Sequence, residues 1–127
     1  MNTSYEVIVT REDGAWLADV REVAGAHTFA RTLTALRKSV REVIVLMDDL
    51  PDDAEVVMSF RFDVDDEAVT EAARLGQERR ALAAREADVM AGTARSVGNL
   101  IERGYSVRDA ALLLNITAGR VSQLANR

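Results

Sequence analysis

Residues 104–126, near the carboxyl end, carry the pattern that most restricts the fold of this chain. Asn115 can take the left-handed conformation that a sharp turn between two helices needs. Thr117 is a good N-cap for the helix that follows, in which Val121 and Leu124 turn inward. Before the turn, four residues follow the i, i+3, i+4, i+7 spacing of a buried helix face: Val107, Ala110, Ala111 and Leu114. The segment therefore predicts a helix-turn-helix.

The outward side of these two helices is a candidate nucleic-acid surface. In motifs of this kind, the amino-terminal part of the second helix meets the edges of DNA bases. We predict that Arg120 and Gln123 read bases and that Arg108 binds phosphate. The other residues predicted to line the surface are Ser106, Thr117, Ala118, Gly119 and Ser122. A plain helical hairpin shares the apolar spacing, but the turn residue, the cap and the exposed polar side chains together favour DNA binding.

The charges divide the chain into three parts. Residues 1–64 carry 7 basic and 12 acidic side chains, net −5, and residues 65–94 carry 4 and 7, net −3. Residues 95–127 carry 5 and 2, net +3, so the positive part is the one with the predicted helix-turn-helix. Because a net +3 holds phosphate weakly, we expect a dimer or larger assembly on double-stranded DNA. The acidic amino-terminal part suits a basic protein partner.

Composition limits the other functional classes. The chain has no cysteine, so neither disulfides nor thiolate metal sites are expected. No apolar run approaches the length of a membrane span and no signal-like segment opens the sequence, so we expect a soluble cytoplasmic protein. The carboxylates are scattered, and His27 has no nucleophile pattern near it. We therefore expect no enzyme activity, no cofactor and no bound metal.

Residues 1–64 predict a small antiparallel sheet with one helix. Asp13-Gly14 supplies a tight hairpin turn, and Thr32 or Thr34 caps the helix. The apolar face of the helix consists of Leu33, Leu36, Val40, Val43, Ile44 and Met47. Alternating apolar and polar residues mark four strands, at Tyr5–Thr10, Ala15–Val20, His27–Ala30 and Glu55–Asp63. The predicted fold class is α+β, with a βββαβ sheet domain followed by a long helix and the helix-turn-helix.

Residues 65–103 contain no proline and consist almost entirely of good helix formers. Asp65, Asp66 and Glu67 suit the amino terminus of a helix, and Gly92 is the preferred position for a break or kink. A thin, alanine-rich seam consists of Val69, Ala72, Ala73, Leu82, Ala83 and Val89. Such a seam is typical either of a self-associating helix or of a solvated linker, and both remain open. The predicted domains are residues 1–64, a helical linker over 65–92, and the DNA-binding domain over 93–127.

The order of elements, with particular residues in it, resembles the HicB family of toxin–antitoxin antitoxins. Members open with a strand, a Glu-Asp-Gly turn and a second strand led by an aromatic residue, which correspond here to Tyr5–Thr10, Glu12-Asp13-Gly14 and Trp16–Val20. A helix follows, here Thr32–Leu46. At the carboxyl end, residues 106–109 and 120–124 look like the DNA-binding tail of actinobacterial HicB-like proteins.

The resemblance implies a partial ribonuclease-H-like fold that lacks the catalytic acids and binds a small basic ribonuclease toxin of the HicA type. It further implies an antitoxin of a type II system that represses its own operon. Together with the negative charge, it points to four acidic residues as the toxin-binding surface: Glu12, Asp13, Asp19 and Glu22. The alternative is an orphan transcription regulator of the same build with no toxin partner.

Overall fold

The computed structural model describes residues 4–126 and has an α+β architecture. Its strands are β1 (Ser4–Glu12), β2 (Ala15–Val20), β3 (His27–Ala30) and β4 (Val57–Phe62). Its helices are α1 (Leu33–Met47), α2 (Glu67–Glu102), α3 (Val107–Leu114) and α4 (Ala118–Ala125). The α+β class is therefore confirmed, and the element order is the predicted one, with β1 longer and β4 shorter than the sequence pattern suggested.

The sheet is mixed, so the prediction of an antiparallel sheet is wrong for one strand pair. The strand order is β3-β2-β1-β4. Strand β2 pairs antiparallel with both β3 and β1, whereas β1 pairs parallel with β4. The chain leaves β3, passes through α1 and returns at the opposite edge of the sheet. A connection through a helix can join parallel strands, whereas a tight hairpin can join only antiparallel ones. The alternation of residues within β4 carries no information about this direction.

The β1–β2 hairpin follows the sequence closely. Asp13 and Gly14 both have positive φ, at 51° and 77°, as a two-residue turn of the mirror-image type requires. Glu12 therefore pairs with Ala15, and the register continues to Val7 opposite Val20. This register places alternate residues of both strands on the same face of the sheet.

One face of the sheet forms the core with α1. The fully buried side chains are Tyr5, Val7, Val9, Ala18, Val20, Ala26, Leu36, Val40 and Ile44. Thr32 is the N-cap of α1, since its hydroxyl accepts the Ala35 N–H at 3.1 Å. Leu36, Val40 and Ile44 are buried as predicted from the apolar face, whereas Leu33 and Met47 remain partly exposed at the ends of the helix. The Tyr5 hydroxyl donates to the Asp48 carboxylate where α1 ends.

Helix α2 runs without interruption from Glu67 to Glu102, so the predicted break at Gly92 does not occur. One glycine costs a helix only about 1 kcal/mol, and the surrounding helix formers outweigh that cost. The helix ends where Gly104 takes a φ of +88°. There the Gly104 N–H donates to Ile101 O and the Tyr105 N–H donates to Leu100 O, both at 3.0 Å, which satisfies the last carbonyls of the helix.

The chain divides into two compact units at a point inside α2: the first ends at Leu75 and the second begins at Gly76. The predicted linker, residues 65–92, falls on both sides of this point. In the second unit, the buried residues are Val97, Ala110, Ala111 and Val121. No helix in the described range 4–126 is long and apolar enough to cross a membrane.

Candidate nucleic-acid interface and partner surface

Helix α3 and the turn after it are fixed by hydrogen bonds at both ends. The Ser106 hydroxyl caps α3 by accepting the Asp109 N–H at 3.1 Å. Asn115 closes the helix in the left-handed conformation, at φ 57° and ψ 44°. The Ile116 N–H then donates to Ala111 O at 3.1 Å, and the partly buried Ile116 side chain packs against the core of the second unit. A three-residue connection, Asn115 to Thr117, therefore leads directly into α4.

Thr117 is the N-cap of α4, and its hydroxyl accepts the Arg120 N–H at 3.0 Å. Val121 is fully buried and Leu124 is partly buried, so this side of α4 packs against α3 and the end of α2. The left-handed Asn115, the Thr117 cap and the inward positions of Val121 and Leu124 match the sequence prediction, whereas the Ser106 cap was not predicted. The two helices and their turn are thus present. That they bind DNA as a helix-turn-helix stays a prediction.

The predicted DNA-binding residues lie at the surface of the second unit. Arg120 is the exception to full exposure: it is half-buried, and its Nη1 donates to Gln123 Oε1 at 3.2 Å. This bond joins the two predicted base-reading side chains into one hydrogen-bonded pair on α4. The remaining predicted residues are all exposed: Ser106, Arg108, Thr117, Ala118, Gly119, Ser122 and Gln123.

The hydroxyls of Ser106 and Thr117 accept backbone N–H groups as helix caps. A hydroxyl keeps its own proton to donate, so each cap can still donate to a phosphate oxygen. Arg95 and Arg103 are also exposed in the second unit, whereas Arg127, counted in the net charge, lies outside the described residues. The positive charge of residues 95–126 is therefore accessible to solvent.

An apolar surface on α3 was missed by the sequence reasoning. In the run Leu112–Leu114 only Leu114 turns toward the core, while Leu112 is 85% exposed and Leu113 is 68% exposed. Leu112 follows Arg108 by one helical turn, so the two side chains are neighbours on the same face of α3. The spacing of the inward residues already implied this exposure, because Leu112 and Leu113 lie outside that stripe.

The four acidic residues predicted to bind a partner fall into two pairs. Glu12 and Asp13 lie at the tip of the β1–β2 hairpin, where Glu12 pairs with Ala15. Asp19 pairs with Ile8, four residues further along β2, and Glu22 comes just after the end of that strand. At about 3.3 Å per residue, the pairs are separated by roughly 13 Å along the hairpin. The structure therefore brings Asp19 near Glu22 but not near the hairpin tip.

The second of these pairs is held by contacts within the chain. Asp19 Oδ1 lies 3.0 Å from His27 Nδ1, and Glu22 Oε1 accepts the Glu6 N–H at 2.8 Å. Arg21 Nη1 lies 3.0 Å from Glu6 Oε2. All of these groups are at least partly exposed, so the interactions are screened by water and contribute little stability.

The sheet face opposite α1 also exposes apolar side chains that the sequence reasoning did not single out. Leu17 pairs with Phe29, and Asp19 pairs with His27, so these four residues share one face of the sheet. Phe29 is 73% exposed. Aromatic side chains are enriched in protein interfaces, so this face is a candidate protein-binding surface. The alternation in β2 and β3 contains this signal once the opposite face is known to be the core.

No three histidine, aspartate or glutamate side chains in residues 4–126 are grouped so that they could hold a metal ion.

The pKa of Glu71 lies below its ordinary value, because Arg74 donates to its carboxylate at 2.7 and 3.1 Å. This pair is on the exposed surface of α2 and stabilises that helix turn.

Comparisons with protein-family models, with curated proteins and with solved structures find no match to this chain. The resemblance to HicB antitoxins therefore depends on the residues quoted above and stays a hypothesis.

Proposed function

We propose that this protein is a cytoplasmic DNA-binding regulator that uses α3 and α4 to bind an operator. We further propose that the first compact unit, which contains β1 to β4 and ends at Leu75, binds a basic protein; we call it the sheet unit. The observation that supports DNA binding best is the α3–α4 pair itself. Its left-handed Asn115 and capping Thr117 set α4 at a sharp turn from α3, and Arg120 and Gln123 lie on the outer side of α4. This pair belongs to the part of the chain with net positive charge.

In this proposal the residues have separate roles. Arg120 and Gln123 carry donors and acceptors suited to the edges of bases in the major groove. Arg108, exposed on α3, binds a phosphate and sets the position of the motif without reading sequence. Ala118 and Gly119 are small, so the first turn of α4 can approach the floor of the groove closely.

The test uses the full-length protein and duplex DNA taken from immediately upstream of its own coding sequence, with an unrelated duplex of equal length. We expect Arg120→Ala to cost about 1–3 kcal/mol of binding to the upstream DNA and much less on the unrelated duplex. Arg108→Ala should weaken both duplexes alike and lower the salt slope by about 1. Arg37→Ala, an exposed position on α1, is the control of equal charge. Equal losses from all three substitutions would contradict the proposal.

For the sheet unit, we propose the role that the resemblance to HicB antitoxins implies, which is neutralisation of a small basic ribonuclease toxin. The acidic hairpin tip at Glu12 and Asp13 and the exposed Phe29 beside Asp19 favour a basic protein with an apolar contact area. The alternative is an orphan regulator in which this face has no toxin to bind.

Co-purification with the tagged product of the neighbouring gene distinguishes these two roles. An antitoxin should form a complex with that product and rescue growth when it is expressed. Charge reversal of Asp13 and Asp19 together should slow the association and reduce its salt dependence, while DNA binding remains unchanged. No complex and no rescue would leave the orphan regulator.

A further inference from the structure

The middle of α2 has no covering element in the described part of the chain. Every residue from Gln77 to Ala91 is exposed, a stretch of about four helical turns. Three of its side chains are large and apolar: Leu82 is 65% exposed, Met90 is 55% exposed and Val89 is 52% exposed. A helix this exposed gains little from tertiary packing, which is the main source of helix stability in proteins.

These apolar side chains lie on one side of the helix together with two opposite charges. Successive residues are 100° apart around the helix. Measured from a line along the helix between Leu82 and Ala83, the two charged residues, Arg79 and Glu86, each lie within about 10°. We call this surface the α2 stripe, and it consists of Gly76, Arg79, Leu82, Ala83, Glu86, Val89 and Met90. Gln77 and Asp88 lie on the opposite side of the helix.

The charges of the α2 stripe are arranged symmetrically about its midpoint. Arg79 and Glu86 are seven residues apart and equally distant from the point between Leu82 and Ala83. Two copies packed in parallel and in register would bring Arg79 against Arg79 and Glu86 against Glu86. Two antiparallel copies related by a twofold axis at the midpoint would instead bring each Arg79 against Glu86 of the other copy. Opposite charges then face each other twice.

We propose that the α2 stripe binds a second copy of this chain in antiparallel orientation. In this arrangement Leu82 of each copy lies beside the axis, where the two leucines contact each other. Met90 of one copy lies near Gly76 of the other, one residue along from the level that the axis pairs with it, so a large side chain adjoins a position without one. The stripe is thus complementary to itself in both charge and size, as a twofold interface requires.

This dimer supplies the two DNA-binding units that the proposed function needs. Its role in DNA binding rests on the proposed function, whereas its formation does not. Measurements of mass without DNA test the dimer, and measurements of DNA affinity test the interface on α3 and α4. Failure of one is therefore distinguishable from failure of the other.

The first experiment measures the mass of the full-length protein by sedimentation equilibrium over a range of micromolar concentrations. We expect a reversible dimer with twice the 13.9 kDa mass of the chain. Arg79→Glu and Glu86→Arg should each weaken the dimer about tenfold, because two attractive contacts become repulsive. The double variant Arg79→Glu/Glu86→Arg should recover it by exchanging the charges. Asp88→Arg, an equal charge change on the opposite side, should leave the dimer unchanged.

The second experiment determines orientation and uses the absence of cysteine in the chain. A copy with Gly76→Cys is mixed with a copy with Met90→Cys under mild oxidation. The antiparallel arrangement predicts the mixed disulfide as the main product, whereas a parallel arrangement predicts disulfides between identical copies. Circular dichroism confirms that each variant keeps its helix content.

Three results would overturn the proposal. The wild-type protein could remain a monomer, which would make the middle of α2 a solvated linker. It could form a dimer that Asp88→Arg weakens as much as Glu86→Arg, which would place the contact elsewhere. It could form mainly disulfides between identical copies, which would contradict the antiparallel orientation.

Discussion

The sheet unit and the second compact unit, which begins at Gly76 and is called the helical unit below, form their cores in different ways. In the sheet unit, nine buried residues come from strands and a helix as far apart in sequence as Tyr5 and Ile44. In the helical unit, the four buried residues among those described lie within the segment from Val97 to Val121, and caps and a left-handed turn residue fix the ends of α3 and α4. Long-range packing therefore dominates the first unit, and local backbone conformation has the larger share in the second.

The two regions also differ in charge, and this difference separates their proposed partners. Residues 1–64 carry net −5, whereas residues 95–127 carry net +3. The proposed basic protein and the proposed DNA are each matched by charge to a different one of these regions. Substitutions in one unit should therefore leave the partner of the other unit bound, which makes the comparison testable.

The largest effect is expected in the core of the sheet unit. Ile44→Ala removes a fully buried side chain and should lower the free energy of unfolding by about 2–5 kcal/mol. The fluorescence of Trp16, which lies against Phe62 in this unit, reports its unfolding in urea. Leu46→Ala, two residues away on the same helix and 80% exposed, is the control and should change little. Similar losses for both would contradict the assignment of the core.

A smaller effect is expected at the backbone of the helical unit. Gly104→Ala places a side chain at a φ of +88° and should cost about 1–2 kcal/mol. Gly98→Ala has open space around it inside α2 and should instead stabilise the unit, by about 0.5–1 kcal/mol. Hydrogen exchange of α3 and α4 amides measures both changes. If the two alanines had effects of the same sign, local conformation would not be the main source of order there.

The smallest effect concerns the ion pair at the start of α2. The pKa of the Glu71 carboxyl is lowered because it accepts hydrogen bonds from Arg74. A lowered pKa in the folded state means that the pair stabilises the protein above the unfolded pKa. This contribution is lost as the pH falls through the folded pKa. Carbon NMR titration should show the Glu71 midpoint rise in Arg74→Gln and stay fixed in Arg80→Gln. An unchanged midpoint in Arg74→Gln would contradict the assigned cause.

Local features of the fold followed from the sequence because neighbouring residues determine them. The Asp13-Gly14 turn, the Thr32 and Thr117 caps and the left-handed Asn115 all depend on groups within a few residues. The parallel pairing of β4 with β1 depends on residues more than fifty positions apart, and no local pattern encodes it. The helix does not break at Gly92 because the helix formers in the rest of α2 outweigh one glycine.

The predictions about the candidate sites also divide into those that depend on neighbouring residues and those that depend on the wider fold. Helical spacing correctly predicted that Ser122 and Gln123 are exposed and that Val121 is buried. The hydrogen bond between Arg120 and Gln123 depends on rotamers, which spacing does not determine. The separation of Glu12 from Asp19 required the register of the hairpin, and the exposure of Phe29 required knowledge of which sheet face α1 covers.

The most direct test of the central claim is an amide NMR titration of the full-length protein with the duplex from upstream of its coding sequence. The account predicts that chemical shifts change in α3 and α4, with the largest changes between Thr117 and Gln123, and that β1 to β4 remain unaffected. Changes centred on the sheet, or no saturable change at low salt, would contradict the assignment of DNA binding to the helical unit.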